Sequence, residues 1–164
     1  MEQSLTLYLQ IFSVTVSLIL LLLTFIWPSV GRFLLVLLFL WASYINAETA
    51  ITNPQDYLNY SSLVWFDLYR DFIDGYFSRN ITLIIVLIAF FQLIIAILFA
   101  TKGKPVKWSG WAIIAFLLAV APLGVGSGFP STLIMALAVF IIIRKPVDRS
   151  LWEMVFRKKF NGQA

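Results

Sequence analysis

Few side chains in this sequence could do chemistry, and they fall in three places. Tyr44, Asn46 and Glu48 sit in "WASYINAETA" (Trp41–Ala50), at the end of a long apolar run. Gln92 interrupts "IAFFQLIIA" (Ile88–Ala96), and Gly124, Gly126 and Gly128 punctuate "APLGVGSGFPS" (Ala121–Ser131). A phenol, two amides and a carboxylate are the polar contacts an apolar cleft needs to orient a ligand head group. The free amides of a glycine turn ahead of a helix attract an anion or a carbonyl oxygen. No Lys follows the glycines in P-loop spacing, which excludes a nucleotide loop. Each group also has a plainer account: a solvated carboxylate at a helix end, an amide bonded between helices, a tight hairpin. The chain has no Cys and no His, so disulfides, thiolate-held clusters, bis-His haem and the usual zinc sites are excluded. The sequence therefore predicts no metal site, no catalytic residue and no cofactor, with quinone or lipid as the ligands such a cleft would suit.

The elements that must position these groups are read from composition. Of 164 residues, 61% are apolar and 12% charged, far from the roughly 45–50% and 25% of a soluble domain. The excess must face lipid. Five stretches carry it: Leu5–Trp27, Val30–Asn46, Ile81–Ala100, Trp108–Val125 and Phe129–Ile143. Most approach the length of about 17–25 residues that a span requires. Leu5–Trp27 has no basic n-region or small-x-small cleavage site, so it is predicted to be a retained span rather than a signal peptide. The expected fold is an all-α, multi-pass membrane bundle forming one domain: a four-helix core over 30–145, an extra N-terminal span over 5–27 and a basic tail over 146–164.

Charge placement gives the orientation. Ten of the twelve Lys and Arg fall at one end: Arg32, Lys102, Lys104, Lys107, Arg144, Lys145, Arg149, Arg157, Lys158 and Lys159. Arg70 and Arg79 remain opposite. The positive-inside rule makes the basic end cytoplasmic, with the N-terminus outside and the C-terminus inside. Span two then runs outward, and Glu48 arrives near the outer headgroups. Ala42, Ser43, Asn46, Ala47 and Ala50 form a small, polar face suited to packing on a neighbouring helix.

Residues 49–80 are the large outer segment. From Ser61 to Arg79, Trp65, Leu68, Tyr69, Phe72, Ile73, Tyr76 and Phe77 recur at helical spacing. This predicts one amphipathic helix lying in the outer interface. Asp67, Asp71 and Asp74 take its wet face, with Arg70 offsetting their repulsion. After span five, "SLWE" (Ser150–Glu153) is a capping box that opens a short helix. With Arg157–Lys159 behind it, the tail is expected to rest on anionic lipid.

Residues 32–145 resemble the DoxX-like family of small four-helix membrane proteins. The resemblance lies in an Arg opening a span ("RFLLVLLFLWA", Arg32–Ala42), a polar exit, "NPQDY" (Asn53–Tyr57), a basic loop "TKGKPVK" (Thr101–Lys107) and a Pro-containing later span. It implies a four-helix bundle with Leu5–Trp27 added in front, in a bacterial inner membrane. Relatives in that family are linked to thiosulfate:quinone oxidoreduction, membrane redox complexes and membrane chaperoning. No catalytic motif is carried over. Three functions follow as expectations: a non-catalytic accessory or assembly subunit for a membrane protein partner, a quinone- or lipid-handling redox component, and a small transporter. The bilayer is the expected environment, and nucleic acid is not an expected partner. The expected ligand site is Tyr44, Asn46, Glu48, Gln92, Gly124, Gly126 and Gly128.

Overall fold

A computed structural model describes residues 2–156; Arg157–Lys159 and the remainder of the tail lie outside the described residues. The regular elements are all helical and run α1 (Glu2–Ile26), α2 (Pro28–Thr52), a short α3 (Asp67–Phe72), α4 (Ile81–Ala100), α5 (Lys104–Val120), α6 (Ser131–Ile143) and a short α7 (Leu151–Phe156). The helices α1, α2 and α4, and α5 with its 3-10 continuation to Val125, are long and apolar enough to cross a membrane. With 13 residues, α6 rises about 20 Å, less than the roughly 30 Å of a hydrocarbon core. Its apolar run ends at Arg144, whose guanidinium lies 5.9 Å from the Phe140 ring centroid.

The breaks between helices follow from Pro and Gly. Pro28 opens α2 at its first position, where its missing N–H costs no helical bond. Gly103 takes a φ of 72° in the loop between α4 and α5, a conformation that disfavours any side chain. Around these breaks α2 packs on α4, α4 on α5, α5 on α6, and α6 touches α2, which closes a ring. Outside the ring, α1 lies against α6 and α2. Leu35, Phe39, Phe99, Val106, Ile113 and Val139 fill its buried centre.

In lipid the drive for helices to associate is close packing, so small residues matter where they meet. Gly110 on α5 is such a point: a Cβ there would run into the Ile143 Cγ2 methyl of α6. Gly31 plays the same part between α2 and Thr24 of α1. Higher up, the hydroxyls of Ser13 and Ser131 join α1 to α6 at 2.8 Å. Phe25, Phe90, Phe91 and Leu118 are exposed on the outside of the helices, as a lipid-facing surface requires.

One end of the bundle carries Arg32, the α4–α5 loop and the segment after α6; we call it the basic end. The other, the loop end, carries 53–80 and 121–130. Exposed aromatic rings mark both: Trp27, Trp108 and Trp152 at the basic end, Tyr8, Tyr44 and Trp65 at the loop end. Such rings concentrate at headgroup level.

The segment 53–80 differs from a single helix over Ser61–Arg79. A 3-10 stretch covers Pro54–Ser62, the chain leaves helical structure around Val64–Phe66, and α3 then runs into a π turn over Ile73–Phe77. The interruption has a local cause. The Trp65 amide donates to the Pro122 carbonyl at 3.2 Å, so it makes no helical bond of its own. The aromatic stripe is also divided. Ile73 and Phe77 are buried with Tyr69 packed beside them, while Leu68, Phe72 and Tyr76 stay exposed. Asp67, Asp71 and Asp74 are exposed, and Asp67 pairs with Arg70 at 2.8 Å.

Candidate functional site

At the loop end the structure brings two of the sequence-predicted residues together. Asn46 donates from Nδ2 to the Gln92 Oε1 at 2.7 Å. Side chains lean toward the N-terminus of their own helix. Because α2 and α4 run in opposite directions, these two lean toward each other. Beside them the Ser43 hydroxyl donates to the Ala89 carbonyl at 2.7 Å. Tyr57, from the segment that covers the end, donates its hydroxyl to Asn46 Oδ1 at 2.7 Å. Burial pushes the Tyr57 phenol above its ordinary range, with neighbouring Tyr60 adding to the effect, so it stays protonated and remains a donor. Sequence reading passed over Tyr57, because a Tyr in a turn-rich loop carries no signal of what it will reach.

Tyr44 and Glu48 turn away from this cluster. Tyr44 is 67% exposed, and Glu48 is exposed at the end of α2. The glycine corner is taken up by the chain itself. A Cβ on Gly124 would stand 2.6 Å from the Leu63 carbonyl oxygen, and its φ of 74° also favours glycine. Gly126 lies in the same 3-10 stretch, Ala121–Ser127, and Gly128 caps it with a φ of 83°. Trp65 closes the corner, its ring edge-on to Phe129 at 4.4 Å. The loop-end polar groups are thus spent largely on one another and on holding 53–80 across the bundle.

The basic end is built differently. Arg32 stands one turn into α2 and is only 2% exposed. Its Nη2 donates to the Arg149 carbonyl at 3.0 Å, while its Nε is buried with no hydrogen-bond partner among the described residues. A cavity of about 310 Å³ opens beside it, with Ser29, Lys145, Asp148 and Arg149 as further polar lining. Pro28, Ile142 and Met154 supply apolar walls. Three basic residues therefore line it against one acidic residue. Asp148 is exposed and forms no ion pair among the described residues.

Several ties hold the floor of this cavity. The Gly103 amide donates to the Val147 carbonyl at 2.8 Å, and Lys102 bonds Glu153 at 2.7 Å. The capping box forms in both directions: the Ser150 amide reaches Glu153 Oε2 at 3.0 Å, and the Glu153 amide reaches Ser150 Oγ at 3.3 Å. The Lys102 ammonium, followed by the Ser150 amide, holds the Glu153 carboxyl below its ordinary range. A depressed carboxylate stabilises the fold fully above its unfolded pKa, and that contribution fades as pH falls through the lower folded value. Amide protection at 150–154, taken relative to intrinsic exchange at each pH, is therefore expected to fall as pH drops below about 4, and Lys102→Ala should blunt that dependence. Protection that ignores pH in this window would show that the ties do not hold α7.

Arg32, Lys145 and Arg149 were legible as basic residues but not as a site. The available signal was Pro28 four residues before Arg32: a helix that begins there cannot lift its arginine far from the membrane rim. Comparisons with protein-family models, with curated proteins and with solved structures found no match for this chain.

Proposed function

We propose that this is a multi-pass membrane protein with five spans and a cytoplasmic basic end, serving as a non-catalytic accessory or assembly subunit for a membrane partner. The observation that carries it is the fixed tail segment. Ordering each backbone residue costs about 1–2 kcal/mol, yet 147–153 is held by Arg32, Lys102, Gly103 and its own capping box. The result is a short helix standing at the rim with Trp152 exposed, a rigid feature suited to contact by another protein. The DoxX-like resemblance of 32–145, in which relatives are linked to membrane complexes and chaperoning, supports the same reading. Purification of the full chain in mild detergent tests it. A partner should co-purify in a fixed ratio, and Trp152→Ala should reduce its recovery by about tenfold, the scale of an aromatic contact residue. A protein that is always recovered alone would refute the reading.

A second reading, lipid handling, is favoured by the cavity beside Arg32. Quinone handling at the loop end draws less support, since Asn46 is already engaged by both Gln92 and Tyr57.

A further inference from the structure

A buried guanidinium with an idle donor is an expensive feature. A charge taken out of water needs partners for its hydrogens, or the desolvation goes uncompensated. Arg32 is almost wholly buried, and one carbonyl accepts from Nη2 while Nε has no acceptor among the described residues. The arginine lines a cavity whose other charges are Lys145, Arg149 and the exposed Asp148. Ser29, at the second position of α2, adds a hydroxyl to the same lining. The amides of Val30 and Gly31 already donate to the Trp27 carbonyl, so the side chains carry the site. A buried arginine and two exposed cations share one preference, a compact multivalent oxyanion.

We infer that the cavity at the basic end binds a phosphate group, with Arg32 as the buried cation and Lys145 and Arg149 as rim cations. This rests on the lipid-handling reading and adds the ligand's chemistry. Arginine suits the role because it stays charged when buried. The volume of about 310 Å³ accommodates a head group and excludes a chain-filled lipid body. The depth also fits. Trp27, Trp108 and Trp152 expose their rings at this end, which sets the cavity where headgroup phosphates lie. Basic pockets between helices at a membrane rim bind anionic headgroups by the same physics.

The test uses the purified full chain in neutral detergent, with two probes. The first is millimolar inorganic phosphate against chloride at equal ionic strength, read as the unfolding temperature. The second is reconstitution with an equimolar mixture of phosphatidylglycerol and phosphatidylcholine, read by native mass spectrometry as the lipid retained. A rise of about 2–4 °C with phosphate, the scale of a modest ligand on a chain of this size, identifies a free anion. Selective retention of phosphatidylglycerol without that rise identifies a lipid head group. Either response supports the inference. Both should vanish in Lys145→Glu with Arg149→Glu, which keeps the Arg149 carbonyl that Arg32 uses. The milder Lys145→Gln should weaken the response about fivefold and serves if the double variant does not fold. Substituting Arg157, Lys158 and Lys159 together with Gln should leave the response in place. No response in the unaltered chain, a response that survives charge reversal, or one that disappears with the tail variant would each overturn the assignment. Partner recovery is measured separately, so the accessory-subunit reading can fail while this one stands, and the reverse.

Discussion

Replacing Gly110 with leucine is expected to give a large loss of stability at the contact of α5 with α6. The Cβ alone would run into the Ile143 Cγ2 methyl, with a Phe99 ring carbon at 3.3 Å and a Val139 methyl at 3.5 Å. None of these can step aside easily. The clashing methyl is carried on the branched, rotamer-restricted Cβ of Ile143, and Phe99 and Val139 are both fully buried. Overpacking of this kind costs about 1–3 kcal/mol, which corresponds to a drop of roughly 2–12 °C in unfolding temperature. Gly110→Ala should show the same sign with a smaller size. Ile143→Ala removes the obstructing methyl, so combining it with Gly110→Ala should cost less than the sum of the two single changes. Thermal unfolding in detergent decides the matter. Strict additivity would mean that α5 and α6 do not meet at this point.

The second large effect belongs to Asn46. Its leucine variant removes two bonds together, leaving the buried Gln92 amide and the Tyr57 hydroxyl without their partner. An unsatisfied buried polar group costs about 1–3 kcal/mol, although membrane pairs have averaged nearer 0.6. A loss of about 1–3 kcal/mol is therefore expected from Asn46→Leu. Adding Gln92→Leu should recover part of it, because the double variant no longer strands an amide at membrane depth. If Gln92→Leu instead deepens the loss by its full single-variant cost, the two amides are not coupled. Exposed Glu48 supplies the contrast. Glu48→Gln should leave the unfolding temperature unchanged within about 2 °C, since exposed substitutions stay within about 0.5 kcal/mol.

These expectations show where sequence reading succeeds and where it stops. The spans were legible because lipid demands uninterrupted apolar length, and the apolar helices α1, α2, α4 and α5 sit on the runs that predicted them. Gln92 was legible as a bundle-facing group, since an amide in the middle of "IAFFQLIIA" has nowhere else to go; it is 4% exposed. The capping box was legible because its two partners are three residues apart. Distance along the chain set the limit. Trp65 leaves helical geometry for a carbonyl at Pro122, and Tyr57 finds Asn46 only when the segment folds back over the bundle. Arg32 bonds a backbone carbonyl, and carbonyls carry no residue signature. The helical period over Ser61–Arg79 correctly grouped Tyr69, Ile73 and Phe77. It also counted Leu68, Phe72 and Tyr76, which lie one stripe over and stay exposed, and it did not foresee the π turn over Ile73–Phe77.

The bond between Arg32 and the Arg149 carbonyl spans 117 residues, and that separation is also an interval of time. Synthesis adds about 5–20 residues per second, so roughly 6–23 s pass between the arginine's appearance and that of its partner. Throughout that interval α2 is present while the segment that will enclose its cation is not. Water and headgroup phosphates at the rim are the acceptors within reach. The folded cavity thus succeeds an earlier state in which the same guanidinium was solvated by the membrane surface itself. The closing of the tail is then an exchange of acceptors around Arg32 rather than the first burial of a bare charge.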